Sequence, residues 1–464
     1  MPLRGHAFAG LLCILVCSGA PASNASAQLT TLHDFCSVRL CHDGSQPSGP
    51  LLRDPTTGDL YGVTYSGGSA LGGALYRLHQ MNSRKWRVKL LHSFCSNVNC
   101  SDGRNPRGNL IMDTAGNLYG VTEHGGPLQD GVVYELSLEN GGYHLTILHT
   151  FGVTPDGRLP VAGLTYAGAA FGALYDGISP LFGTTTVGSA PGHAGTIYML
   201  ANTGGIWNET VLYNFCSLKN CHDGSSPGSS LLMDSNGNLF GTTLEGGISH
   251  YRRQTEGYGV IFELSNPGAP AQSLIVLHSF CTQRPHCTDG SNYSYPFEIS
   301  ISDDIPNTNA LTMDAQGNLF GAAPGGGAVK HGCCGVLFKI AADRSPSSYT
   351  VVYNFCTKFN CKDGANPNGE LLIDSKGTIY GTTLTGGGHN IDAYNLGGGA
   401  AFRLSAAGLE TLYAFCAVGS CLDGAYPGFG LASDGTTLFG TTILGGPNAI
   451  NGSLGDGTLF EIAP

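Results

Sequence analysis

The chain has 464 residues, of which 71 are glycine and only 12% are charged, with a formal net charge of −11. An apolar fraction of 41% excludes a disordered chain. The absence of any basic run excludes a nucleic-acid partner, because phosphate binding needs clustered Lys and Arg. Many glycines beside many aromatics suit an all-β protein rich in turns.

Residues 1–27 read as a secretory signal. Arg4 supplies the charged start, Phe8 to Val16 the apolar stretch, and Ala25-Ser26-Ala27 a small-residue cleavage site before Gln28. A membrane helix is the alternative, but the apolar run is far short of the roughly 20 residues a span needs. Lipid attachment at Cys17 is a third option, set against the bulk of Val16. The remainder, 28–464, reads as one domain. It is expected outside the cell or in the periplasm, without a membrane span, as a monomer.

That domain is built from seven repeats, starting near residues 29, 88, 145, 209, 274, 349 and 409. Each opens on a strand that ends in an aromatic: Phe35, Phe94, Phe151, Phe215, Phe280, Phe355 or Phe415. In six of them a loop of the form Cys-x4-Cys-x-Asp-Gly-x-x-Pro, or close to it, follows. A hairpin comes next, cleanest at Leu231 to Thr243, where Gly237-Asn238 is expected to supply the positive-φ residues of the turn. A Gly-Gly loop then leads to a last strand such as Val132 to Leu136. Altered hairpins span 164–185 and 311–323. Four short strands repeated seven times predict a seven-bladed β-propeller of four-stranded antiparallel blades. A β-solenoid is the runner-up, but it does not call for a hairpin in each unit. The first strand lies close to residue 28 and the last close to Pro464, so strands from both ends could close one blade, in a phase the repeats leave open. Strand alternation puts the Cys loops and the Gly-Gly loops on one face and the hairpin turns on the other. The long-loop face is the better place for function.

The hairpin pattern Asp-x-x-Gly-Asn-Leu-Tyr/Phe-Gly-Thr-Thr-x-x-Gly-Gly, followed by Gly-x-x-Phe-x-Leu, Leu-x-x-Phe and Asp-Gly-x-x-Pro, resembles the GloVer (Gloeo/Verruco) tandem repeat of exported bacterial "choice-of-anchor" proteins. The resemblance runs over essentially the whole of 28–464. It implies export and often surface attachment, and it brings no reaction and no catalytic residues. No anchor follows Ile462, which favours a freely secreted protein.

The cysteine pairs Cys36/Cys41, Cys95/Cys100, Cys216/Cys221, Cys281/Cys287, Cys356/Cys361 and Cys416/Cys421 read as local disulfides, with thiolate metal binding as the alternative. Repeat 3 has none, and its loop is shorter: 13 positions from Phe151 to Leu164, against 16 from Phe215 to Leu231. Cys333-Cys334 could close a vicinal ring, pair elsewhere or stay free. The Asp-Gly series Asp43, Asp102, Asp156, Asp223, Asp289, Asp363 and Asp423 reads as loop capping. Calcium is the one cofactor these acids could hold, although a calcium site wants several converging oxygens. The series Asp54, Asp113, Asp234, Asp314, Asp374 and Asp434 reads as turn chemistry.

Where the repeat is broken, residue types suited to a ligand gather. The candidates are His250, Tyr251, Arg252, Arg253, Tyr293, Tyr295, His331, His389, Asp392 and Tyr394. Flat aromatic rings beside fixed polar groups are what a sugar-binding surface uses. A binding protein for extracellular carbohydrate or a surface protein is therefore expected. One alternative is a polysaccharide-active enzyme using His250 with Glu256 or His389 with Asp392. A purely structural envelope protein is the other. No Gly-x-Ser-x-Gly, His-Glu-x-x-His or Walker loop is present.

Overall fold

A computed structural model of the chain describes residues 27–464, except for 83–84, 140, 154, 189–193, 250–256, 285, 293–308, 329–333, 390–396 and 449–454. The described residues form seven antiparallel sheets, the blades of a propeller. Residues 1–26, which hold nearly all of the expected signal segment, and the insertion of repeat 5 lie outside them.

Blade 1 illustrates the plan. Its inner edge is Ser45–Pro47 with Leu52–Arg53, followed outward by Leu60–Ser66, Ala74–Asn82 and Lys85–Ser93. The hairpin and Gly-Gly-linked strands of each repeat thus make the inner three positions. The outer strand is the first strand of the next repeat. The ring closes when Gln28–Asp34 pairs antiparallel with Thr458–Ala463, in the register Leu29 to Ile462. This settles the phase: the first strand of repeat 1 is the outer strand of blade 7. Blade 3 departs from the plan. It has three regular strands, Leu181–Thr185, Thr196–Thr203 and Ile206–Asn214, and its inner edge is held by isolated bridges from Thr165 to Phe182 and from Arg158 to Val187 rather than by a strand.

The core lies between blades. The aromatic ending each outer strand packs tilted or edge-on against an aromatic of the next blade's third strand, as Phe94 on Tyr134 at 5.1 Å and Phe215 on Phe262 at 5.1 Å between centroids. All seven of these phenylalanines are buried. The glycine of Gly-Thr-Thr makes room for that ring. A Cβ on Gly183 would sit 2.3 Å from the Tyr198 hydroxyl, and one on Gly241 would sit 2.6 Å from Phe262 Cζ.

The hairpin turns differ from the expectation in one respect. The glycine is left-handed, with φ of 83° at Gly237, but the following asparagine is not. Asn238 instead donates its side chain to Asp234 at 3.2 Å, as Asn117 does to Asp113 at 2.9 Å. The Asp takes two backbone N–H groups as well, those of Asn236 and Asn238 at 2.9 and 2.8 Å. The expected turn role of this series holds. Its internal bonds outweigh the effect of burial and lower the pKa of Asp54, Asp374 and Asp434.

Candidate functional site

The Cys loops and the Gly-Gly loops share one face, as strand alternation requires. Cys36–Cys41, Cys95–Cys100, Cys216–Cys221, Cys281–Cys287, Cys356–Cys361 and Cys416–Cys421 are all disulfides, which overturns the thiolate alternative for every pair. The second cysteine of each pair has a further part that the spacing does not show. The carbonyls of Cys41, Cys100, Cys221, Cys287, Cys361 and Cys421 accept from the amides of Gly68, Gly126, Gly247, Gly327, Gly387 and Gly446 respectively, all at 2.9 Å. These cysteines are thus scaffold, tying each Gly-Gly loop to its neighbour, and offer nothing to a ligand. Cys334 is also disulfide-bonded, to a partner outside the described residues. Two cysteine groupings lie close enough to suggest a metal, Cys334 with Cys356 and Cys361, and Cys36 with Cys41 and Asp456. Their sulfurs are all in disulfides, so no thiolate is available there.

The Asp-Gly carboxylates turn inward to their own loops. Asp223 accepts from the amides of Ser217 and Leu218 at 2.9 and 3.1 Å, and Asp363 from those of Thr357 and Lys358 at 2.9 and 3.1 Å. Asp102, Asp289 and Asp423 repeat the arrangement. A second partner was legible but unread. Two residues before each outer-strand phenylalanine stands a His or Tyr, and it meets the Asp of the same loop. The Tyr213, Tyr353 and Tyr413 hydroxyls donate at 2.8, 2.9 and 2.8 Å. His33, His92, His149 and His278 place Nε2 within 3.2 to 3.4 Å. Burial opposes ionisation of Asp43 and Asp289, but their histidine, hydroxyl and amide partners outweigh it and lower both pKa values. Carboxylates engaged this way act as caps.

Of the ten candidate ligand residues, only His389 lies among the described residues, exposed at the edge of the blade 6 Gly-Gly loop. His250, Tyr251, Arg252, Arg253, Tyr293, Tyr295, His331, Asp392 and Tyr394 fall outside them, as do Glu256 and Cys333.

A cavity that sequence reasoning missed opens toward the opposite face. About 340 Å³ in volume, it lies on the propeller axis between the inner strands, with an adjoining chamber of about 220 Å³. Its walls include Leu52, Ile111, Leu232 and Glu370. The altered hairpin of repeat 3 reaches into it through a single helical turn, Ala169–Phe171, flanked by left-handed Gly168 and Gly172. That segment is pinned from both sides. The Tyr166 hydroxyl donates to Ala173 O and that of Tyr175 to Ser179 O, both at 2.5 Å, while Tyr175 stacks edge-on against Tyr119. On one side of the axis the polar groups satisfy each other. Ser230 Oγ donates to Asn109 Oδ1 at 2.6 Å, Asn109 Nδ2 to Leu164 O at 3.2 Å, and the Gly163 amide to Ser230 Oγ at 3.1 Å. Glu370 stands alone. Its side chain is exposed to the cavity while protein surrounds it, and that enclosure pushes its carboxyl up to about 7.

Solved structures similar to this chain include the PQQ-bound aldose sugar dehydrogenase of Streptomyces coelicolor, at 15% identity, 81% of this chain, 98% of that chain and a TM-score of 0.42. A second is the α-L-arabinanase of Penicillium chrysogenum complexed with arabinobiose, at 13% identity, 77% and 94% coverage and a TM-score of 0.41. Likeness at this level carries no argument about activity. A search of curated proteins returned no match. Among the described residues no helix is long and apolar enough to cross a membrane. Residues 22–179 match the family model described as the Gloeobacter/Verrucomicrobia repeat, the same repeat that the hairpin and loop motifs resemble.

Proposed function

We propose that this is an exported binding protein that presents its long-loop face to extracellular carbohydrate. One observation carries the reading. The enlarged loops of blades 4 to 6 spring from a rim in which each Gly-Gly loop is tied by its amide to a disulfide-closed neighbour. Variable loops on a rigid rim are a display arrangement, because binding then costs little ordering entropy. The regular acids of that rim are consumed in capping, which leaves recognition to the irregular insertions. Their residue types, aromatic rings among Asn, Asp and Arg, suit sugars.

A glycan array tests this directly. The wild-type protein is expected to bind a discrete set of glycans, and deletion of 293–308 or a Tyr394→Ala, His389→Ala double variant should lower that binding at least tenfold. An array without any bound glycan overturns the reading, and capture of a defined surface protein by the same loops would replace it. Release of sugar products from a bound polysaccharide would move the protein to the enzyme class.

A further inference from the structure

We propose that the axial cavity is a separate binding site for a small organic amine, whose apolar body lies against the inner-strand leucines and whose ammonium group pairs with Glu370. The residue preceding the first leucine of the hairpin is, blade by blade, Pro, Asn, Gly, Ser, Ala, Glu and Gly. Six of the seven positions are uncharged, and the two with polar side chains are already bonded to each other and to backbone. Glu370 is the single acid at this level. Arg53 is the one other charged side chain in the walls, and no ion pair joins the two; no His, Lys or Asp lines the cavity among the described residues.

Leu372 lines the same chamber as Glu370, and Leu52, Ile111 and Leu232 occupy the position equivalent to Leu372 in their own blades. A carboxylate that faces such walls without an ion-pair partner is a group that a cation would pair with. The same walls disfavour a sugar. A polyol would bring several hydroxyls into a space where Asn109 and Ser230 are already bonded to each other and to backbone, leaving Arg53, Thr165 and Glu370 as the wall side chains able to meet them. The volume, about 340 Å³, is comfortably above the roughly 150 Å³ that accepts a benzene ring. It therefore admits a ring or short alkyl chain with an amine attached.

Isothermal titration calorimetry with 2-phenylethylamine, 2-phenylethanol and glucose tests the site in the full secreted chain. The amine is expected to bind at least tenfold more tightly than the isosteric alcohol, and glucose not at all. Amine affinity should rise as pH climbs through about 7, because only the ionised Glu370 pairs with it. Glu370→Gln, which keeps the shape, should remove the preference for amine over alcohol. Ala173→Trp, which fills the mouth from an exposed position, should block both. Glycan-array binding should survive both substitutions. Equal affinity for amine and alcohol in the wild type, unchanged amine binding in Glu370→Gln, or no amine binding at millimolar concentration overturns the proposal.

Discussion

Six of the seven loops that join one blade to the next are disulfide-closed, and one is not. The difference explains what the disulfides are for. In the closed loops both cysteines adopt left-handed backbone, as with φ of 61° and 51° at Cys216 and Cys221. In five of them the residue before the second cysteine does so too: Leu40, Asn99, Asn220, Asn360 and Ser420. Each such residue costs on the order of 1 kcal/mol or more. The glycine of Asp-Gly is also left-handed in all six, from Gly44 at 98° to Gly424 at 97°. The loop of repeat 3 is three residues shorter, and Gly157 is not among the left-handed residues. The short loop keeps one strained residue, Leu159 at φ of 57°, but has lost the disulfide and its left-handed cysteine positions together. The clamp therefore belongs to the wound segment that the short loop lacks.

The comparison breaks most visibly at the caps. Asp289 is fully buried and holds the amides of Thr282 and Gln283 and the Thr282 hydroxyl. Asp289→Ala leaves that loop's amides without an acceptor and is expected to cost about 3 kcal/mol, two charge-assisted bonds' worth. In repeat 3, Asp156 leaves Oδ1 unbonded although buried, so Asp156→Ala should cost no more than about 1 kcal/mol. Urea midpoints at pH 7 measure both. Equal losses would mean that the caps do not hold the wound loops.

The disulfides themselves come next. Replacing Cys216 and Cys221 together by serine opens a loop with a sequence separation of 5 and should lower stability by about 2 kcal/mol by loop entropy. The same substitution in a protein already carrying Asp223→Ala should cost less, because the loop has then lost the cap that aligns it. Strict additivity of the two would show that clamp and cap act on different conformations.

How much of this was legible in the sequence depends on distance along the chain. Turn, strand and disulfide are local, and the motif Asp-x-x-Gly-Asn, the alternating strands and the Cys-x4-Cys spacing foretold them. The carbonyl role of Cys100, Cys287, Cys421 and their counterparts was not foretold, because it joins each Cys loop to a Gly-Gly loop more than twenty residues on. The phase of closure was hidden too, because it rests on Gln28–Asp34 meeting Thr458–Ala463, strands whose pattern matches every other outer strand and third strand. The His or Tyr partner of each Asp was in plain view at His33, His92, His149, Tyr213, His278, Tyr353 and Tyr413. It went unread because a strand residue and a loop residue about ten positions on carry no joint periodicity. Glu370 was invisible for a stronger reason. It becomes the one acid of an axial ring only when the axis is known. The altered hairpin of repeat 3 looked like a degraded copy until its helical turn was seen in the cavity wall.

The smallest effect separates repeat 3 from its sisters by the sign of a pH dependence. Burial pushes Asp156 up to about 6 and His149 down to about 4, so the two are not an ion pair at neutral pH. Burial, with Asp156 nearby, also raises Glu209 to about 7. An acid whose folded pKa lies above its unfolded one stabilises the fold below the unfolded value, near 3.8 for Asp156, and loses that contribution as pH rises through the folded one. Asp156→Asn keeps an acceptor for His149 Nε2 and removes the titration. Its melting temperature should match the wild type near pH 3.5 and exceed it modestly at pH 8. Asp43 and Asp289 have lowered pKa values, so their contribution is present above 3.8 and is lost as pH falls through the folded value. Asp289→Asn should therefore fall below the wild type most at neutral pH and least in acid, the reverse of Asp156→Asn in sign over the same pH range. Parallel melting curves of the two variants across pH 3.5 to 8 would erase the distinction between the wound loops and the short one. Opposed curves would locate it in the carboxylates, where hydrogen bonds lower Asp289 and burial raises Asp156.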